Sequence, residues 1–408
     1  MRKKILIITP WYLPGTRAGG PVRSVFGLVE TLKNDLEVII FTPAYDIMTG
    51  ENYGKEHKGW YVAEENVRIF YHLKNFSVFK LFRLINEIKP DALYCNNIWS
   101  LYYTWLPVLH IKRKFPLTRC VISTRGMLDP NSMRIKSLKK RIFLFALRCF
   151  GLQSGCFFHA THEGEKQNIM QWFSGCNVKV IPNISVPDNS TDWIIKQKGE
   201  LNMFYLSRIV PIKNLEFAID VLLHYSTEKN HSKIIFDIYG YEEDLEYARR
   251  CRKKIFTNKT ANIRFLEQIN SGQQSEEIFE INGNVTIRFK GPLKMDEVNN
   301  CIKKYHIFFL PTLNENFGHS IVESMQGGCP VLISRNTPWK NLASVKAGYD
   351  LELNNTEEFI DKIWKFAMME EKEFREWREG ARNYIQQRLQ SEKIKKDYIN
   401  LFFDEPQG

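Results

Sequence analysis

Nowhere in the 408 residues do eighteen consecutive apolar residues occur, so no transmembrane helix is expected. No C-x-x-C pair is present either. Cys95, Cys120, Cys149, Cys156, Cys176, Cys251, Cys301 and Cys329 are scattered, without a Cys/His cluster at zinc spacing, which argues against a structural zinc site. Several lie in apolar runs and read as small buried hydrophobes in a reducing compartment, the cytoplasm. A nucleic-acid-binding motif of recognisable spacing and a long basic tail are both missing. The net charge of +11 therefore points to an anionic membrane surface or phosphorylated small molecules, and not to nucleic acid. The charged start Met1-Arg2-Lys3-Lys4 leads into an apolar stretch too short for a signal peptide and without a small-residue cleavage site; it reads as the first strand of a parallel sheet.

What is present is enough apolar sequence for two cores. With 44% hydrophobic residues over 408, two domains of roughly 150 to 200 residues are the natural expectation. Strand and helix patterns alternate, predicting doubly wound parallel sheets of the α/β class. In the first half the strands are Lys4 to Thr9, Glu37 to Thr42, Val67 to Tyr71, Ala92 to Asn96, Cys120 to Thr124, Gly155 to Ala160 and Lys179 to Ile181. In the second they are Leu201 to Leu206, Ile234 to Tyr239, Val285 to Lys290, Ile307 to Leu310 and Val331 to Ile333. Between the halves, the polar stretch 188–198 reads as a linker. The charged segment Glu242 to Ser275 reads as one or two surface helices around a short strand at Ile263 to Leu266.

The densest chemistry lies in Glu315-Asn316-Phe317-Gly318-His319-Ser320-Ile321-Val322-Glu323. A buried strand precedes it and a helix from about Gly318 to Met325 is predicted within it. The start of a helix presents unpaired N–H groups and positive dipole charge, which attract phosphate by roughly 0.3 to 1 kcal/mol per charge. Glu315 sits in the loop ahead of that start, and Glu323 in the second turn, able to accept from hydroxyls. Two glutamates eight apart say little alone. Gly327-Gly328-Cys329-Pro330 and the apolar Val331 to Ile333 place them in a strand-helix-strand unit, at the carboxyl end of a parallel strand where such folds bind ligands.

This segment resembles the E-x7-E signature of the family 4 glycosyltransferases, retaining enzymes of the GT-B fold. The resemblance implies two Rossmann-like domains facing a cleft, divided as 1–187 on the acceptor side, the linker 188–198, a nucleotide-sugar-binding domain 199–380, and a C-terminal helix 381–408 that returns to the first domain. It implies that Glu315 contacts the donor sugar, that Glu323 holds the ribose hydroxyls, and that the backbone of Asn316, Phe317, Gly318, His319 and Ser320 meets the sugar and diphosphate. Arg208 and Lys213, five residues apart after the first strand of the second half, match the family's pair facing the donor diphosphate. Arg forks two oxygens and Lys acts as a point charge. Such a pair substitutes for a metal, and no D-x-D motif is present to hold one, so neither a metal nor a cofactor is expected. Gly19 and Gly20 stand before a helix from Val22 to Leu32, where the resemblance puts a loop bordering the donor phosphates; an ordinary glycine loop fits equally.

One departure is visible. In Ser123-Thr124-Arg125-Gly126-Met127-Leu128-Asp129-Pro130, Arg125 stands where many members carry a histidine, and the chain is more similar to a subgroup with S-x-R-G-M-L-x-P. Arg125 is there assigned to the acceptor or a phosphate. Asp129 reads from the residues themselves either as an acceptor-side base or as a turn residue before Pro130. Thr161 suits a helix N-cap with Glu163 and Glu165 in the first turn; His159 and His162 beside them offer the alternative of a metal site. His319 reads as a pocket wall. The stretch Met133 to Phe150 mixes six cations with large apolar residues and reads either as a helix for an anionic bilayer or as one with a solvated basic face.

The function implied is transfer of a hexose from a nucleotide diphosphate sugar, with UDP-sugar favoured, to a glycan or polyprenyl-linked oligosaccharide in bacterial surface polysaccharide biosynthesis. The protein would work in the cytoplasm, peripheral to the inner face of the membrane. The alternatives are a catalytically silent binding subunit of the same fold, or an epimerase or phosphorylase.

Overall fold

The computed structural model describes residues 2–47, 49–54, 56–134, 137–184, 193–228, 232–268 and 276–404. They form two compact units, Met1–Val186 with Leu389–Gly408, and Pro187–Arg388. Each is built on an eight-stranded, mostly parallel sheet.

In the first unit the strands are β1 Lys4–Ile8, β2 Glu37–Pro43, β3 Gly59–Glu64, β4 Val67–His72, β5 Ala92–Cys95, β6 Arg119–Ser123, β7 Phe157–Ala160 and β8 Asn177–Val180. They lie in the order β3-β4-β2-β1-β5-β6-β7-β8. Strand side chains alternate between faces. Leu6 and Ile8 of β1 accordingly enter one apolar cluster while Ile5 and Ile7 enter another. Both faces are covered, which is why β1 reads as a continuous apolar run. The antiparallel edge strand β3 was not read from the sequence: its residues from Trp60 to Glu64 are all exposed, so no buried face marks it.

The second unit contains β9 Glu200–Leu206, β10 Lys233–Tyr239, β11 Ile263–Gln268, β12 Glu276–Ile281, β13 Val285–Gly291, β14 Ile307–Leu310, β15 Val331–Ser334 and β16 Gly348–Leu351. Their order is β11-β12-β13-β10-β9-β14-β15-β16. The segment Glu242 to Ser275 supplies one helix, Leu245–Phe256, and β11; its last residues, 269–275, lie outside those described. The antiparallel β12 and the edge strand β16 were not expected.

Two boundaries differ from those expected. Of the linker 188–198, residues 188–192 lie outside the described ones, while the rest packs on the second unit. Trp193 Nε1 donates to Gly327 O at 2.7 Å, and the buried Lys196 ammonium donates to Ala367 O at 2.8 Å and Met369 O at 3.2 Å. Polar composition there marks capped carbonyls, not a free tether. The C-terminal segment returns to the first unit from Leu389 rather than from 381, because the helix Glu371–Arg388 buries Trp377, Arg378, Tyr384 and Ile385 within the second unit. The helix Ser391–Phe403 places Ile394, Tyr398, Leu401 and Phe402 at helical spacing in the same cluster as Ile5 and Ile7.

The second unit carries a built-in acid sensitivity. His306, immediately before β14, is buried, and its Nδ1 accepts from Asn202 N at 2.9 Å. Burial, then the charges of Arg378 and Lys196, push its pKa down to about 3. An unfolded histidine titrates near 6.5, so the neutral ring's contribution is complete above about pH 6.5 and is lost as pH falls toward the folded value. The slope reaches about 1.4 kcal/mol per pH unit. Replacing it, as His306→Gln, is expected to flatten the acid limb of denaturant midpoint against pH below about pH 6; parallel limbs for the two proteins would reject this.

Candidate functional site

The site begins with strand adjacency. β9 and β14 are parallel neighbours, with Met203 opposite Ile307 and Phe204 opposite Phe308. Their carboxyl ends therefore point the same way and the two following loops meet. Leu313 N donates to Ile212 O at 2.8 Å, and Thr312 Oγ1 bridges Ile212 O at 2.9 Å and Asn314 O at 2.8 Å. In the first loop, Pro211–Lys213 is a single 3-10 turn ended by Asn214 in the left-handed region. It delivers Lys213 to the second loop, where its ammonium donates to Glu315 Oε2. Only 11% of the Lys213 side chain and 16% of the Glu315 side chain remain exposed, so each charge relies on the other for the water it has lost.

Glu315 is fixed from its backbone as well, since its N–H donates to Asn336 O at 3.0 Å. Beyond it the chain turns at Gly318, φ 78°, into the helix His319–Gln326. A Cβ at Gly318 would stand 2.7 Å from Ile321 Cδ1 and 3.0 Å from Glu315 Cγ, so both conformation and space require glycine. The first helical bond runs from Val322 N to Gly318 O at 3.0 Å; the amides of His319, Ser320 and Ile321 precede that ladder. Phe317 is buried under Trp339, whose Nε1 donates to Phe317 O at 2.6 Å, and the His319 ring lies 4.9 Å from the Phe317 ring. Asn316, Ser320 and Glu323 are half-buried.

Arg208 is engaged differently. Its Nη1 donates to Glu243 Oε2 at 2.5 Å, with about a third of each side chain exposed. The loop after β9 thus directs one cation onto Glu315 and the other onto Glu243. Glu243, Asn336, Thr312 and Trp339 were missed by sequence reasoning. Glu243 follows the carboxyl end of β10, a position that marks it in a parallel sheet; the others act through backbone partners distant in sequence.

In the first unit Gly19, φ 65°, ends a turn in which its N–H donates to Thr16 O at 2.9 Å, and Gly20 opens the helix Gly20–Leu32. At the ends of β5 and β6, Arg125, φ 51°, turns its guanidinium toward protein acceptors. Nε donates to Asn96 Oδ1 at 2.5 Å, Nη2 to Tyr94 Oη at 2.8 Å, and Nη1 to Asn183 Oδ1. Glu165 lies buried beside it. Burial opposes its charge, but hydrogen bonds from Thr124 Oγ1, Thr161 N, Gly126 N and Thr161 Oγ1 outweigh that and hold its carboxyl below the usual range. His159 is pushed down by burial first and then by the Arg125 charge. It bonds Tyr94 Oη and Ile181 O, both at 2.8 Å, whereas His162, and not Thr161, caps the helix Glu163–Trp172. Asp129 stands at the head of the short helix Pro130–Arg134, its carbonyl accepting from Met133 N at 2.8 Å. Among the described residues no group of three His, Cys, Asp or Glu side chains converges as metal ligands.

Arg125→Ala removes a donor from Asn96, Asn183 and Tyr94 together and is expected to lower the stability of the first unit by about 2 to 4 kcal/mol. A change below about 0.5 kcal/mol in denaturant unfolding would contradict the inward role.

Residues 192–384 match the glycosyl transferases group 1 family. The chain is 22% identical over 361 residues to the uncharacterized glycosyltransferase MJ1607 of Methanocaldococcus jannaschii, covering 81% of this chain and 80% of that one. In structure it is similar to sucrose-phosphate synthase from Thermosynechococcus elongatus, with a TM-score of 0.69, 14% identity and 98% of both chains covered. It is also similar to a mutant of S. aureus TarM in complex with fondaparinux, alpha-GlcNAc-glycerol and UDP, with a TM-score of 0.56, 18% identity and 84% of this chain covered; it spans 62% of that protein's chain. The chain is thus similar over residues 192–384 to the glycosyl transferases group 1 family, and its likeness to these solved structures shows two Rossmann-like units of the GT-B fold.

Proposed function

We propose that this chain is a retaining, metal-independent glycosyltransferase that moves a hexose from a nucleoside diphosphate sugar, in the first place a UDP-sugar. The acceptor is a glycan or a polyprenyl-linked oligosaccharide of a bacterial surface polysaccharide, reached from the cytoplasmic face of the membrane. The observation that carries this reading is the largely buried Lys213–Glu315 pair, held at the ends of adjacent parallel strands beside a helix N-terminus. UDP as the nucleotide is supported by its presence in the TarM complex.

In this reading the amides from Asn316 to Ser320 receive the sugar and diphosphate, Glu323 accepts from the ribose hydroxyls, and Glu315 orients the donor sugar without acting as a covalent nucleophile. Arg208 and Lys213 neutralise the charge that grows on the leaving phosphate as the bond from the anomeric carbon to the phosphate oxygen breaks. The acceptor hydroxyl forms the new bond from the same face. Its proton passes to a phosphate oxygen of the departing nucleoside diphosphate. Before the donor arrives, carboxylates occupy both cations, Glu243 on Arg208 and Glu315 on Lys213. Exchange at Arg208 is inexpensive, because a pair as exposed as Arg208–Glu243 is worth only about 0 to 1 kcal/mol, while a phosphate takes the guanidinium fork bidentately.

Release of nucleotide from a panel of UDP-, GDP- and ADP-sugars tests the assignment. Glu315→Gln is expected to lower turnover by about 100-fold or more, and wild-type turnover in that variant would reject the site. Activity is expected to persist in EDTA. Removing the competitor, as Glu243→Gln, is expected to tighten donor binding by up to about fivefold, read by calorimetric titration; weaker binding would show that Glu243 positions Arg208 and does not compete for it.

A further inference from the structure

The positive charge of this chain is confined to one stretch. Residues 73–150 hold 15 Lys and Arg against 3 Asp and Glu, while the other 330 residues hold 42 against 43 and are close to neutral. The stretch includes the helices Val78–Ile88, Leu106–Lys114 and Ser137–Cys149. They share one face of the first sheet, since Leu81, Leu84, Val108, Ile111, Leu144 and Leu147 belong to a single core cluster. Lys112 Nζ, donating to Leu152 O at 2.8 Å, ties the second of these helices to the end of the third.

The helix Ser137–Cys149 carries apolar side chains on two opposite sides, only one of which is buried. Leu144 and Leu147 are buried. Leu138 is 70% exposed, Ile142 59% and Phe145 68%, and Phe150, just past the helix, is 78% exposed. At about 100° per residue, positions 138, 142, 145 and 149 fall within about 60° of arc, opposite the buried leucines. Arg141 and Arg148 flank one edge of this stripe and Lys139 the other, all exposed. A helix with a merely solvated basic face would put its cations opposite the core. Here large apolar side chains stand there and the cations form the rim. Scattered surface hydrophobics need no explanation, whereas a contiguous stripe does.

We infer that the helix Ser137–Cys149 is an in-plane anchor for an anionic lipid bilayer. Leu138, Ile142, Phe145 and Phe150 enter the acyl boundary, while Lys139, Arg141 and Arg148 meet lipid phosphates at headgroup depth. Charge selects this occupant: a second copy would set one strongly basic face against another, whereas a bilayer offers anionic charge at its surface and apolar depth directly beneath. The inference stands apart from the reaction assigned above, since it uses none of the donor-site residues.

Cosedimentation of the full chain with vesicles tests it, using phosphatidylglycerol mixed with phosphatidylcholine and, separately, phosphatidylcholine alone. Binding to the anionic vesicles is expected to be on the order of tenfold tighter or more and to weaken with added salt. The double variant Ile142→Glu with Phe145→Glu is expected to lose binding by on the order of tenfold or more while its melting temperature and donor hydrolysis stay at wild-type values. An environment-sensitive fluorophore on the exposed Cys149 is expected to shift to the blue on adding anionic vesicles. Failure of the wild-type chain to bind these vesicles, equal binding by the double variant, or self-association through this helix without vesicle binding would each overturn the inference.

Discussion

The donor-side geometry depends on two strands lying side by side. Lys213 and Glu315 are 102 positions apart in the chain, and they meet because β9 and β14 are parallel neighbours, so both following loops emerge at one edge. Holding that pairing falls to Met203, Phe204, Ile307 and Phe308, which are fully buried. Their burial opposes the entropy of closing so long a loop, which grows only slowly with its length. Once the edge is set, the charged pair follows from short connections: one 3-10 turn on one side and a few residues on the other.

The two units treat their polar residues in opposite ways. In the second, the carboxyl edge presents half-exposed groups, with Arg208 on a carboxylate and Glu323 half-buried on the helix beyond Gly318. In the first, the corresponding edge is knitted inward: Arg125 spans Asn96, Tyr94 and Asn183, and Glu165 collects donors from Thr124, Gly126 and Thr161. Buried polar networks of this kind are costly when one member is lost. Arg125 thus ties the ends of β5 and β6 together, its guanidinium donating to three protein acceptors there.

Segments with one strong local signal were readable. The apolar runs of β1, β2, β9 and β14 and the glycine that starts the helix after Glu315 are local properties of side-chain periodicity or backbone conformation. The unread elements lack such signals. β3 and β16 are edge strands, and β12 is an antiparallel addition, each recognised by the strand beside it. Residues 193–198 read as a linker because their polarity was visible and the carbonyls of Ala367 and Met369 that Lys196 caps were not.

By itself the sequence determined the alternating α/β class, the glycine-led helix start between Glu315 and Glu323, and the cation pair in the loop at 208–213, because each rests on neighbours within a few residues. Only the tertiary structure decided that Lys213 reaches Glu315 while Arg208 turns to Glu243, that Arg125 faces inward, and that Leu138, Ile142 and Phe145 face outward. Those outcomes depend on which side chains distant in sequence compete for the same charge or the same buried face, and strand order alone sets that competition.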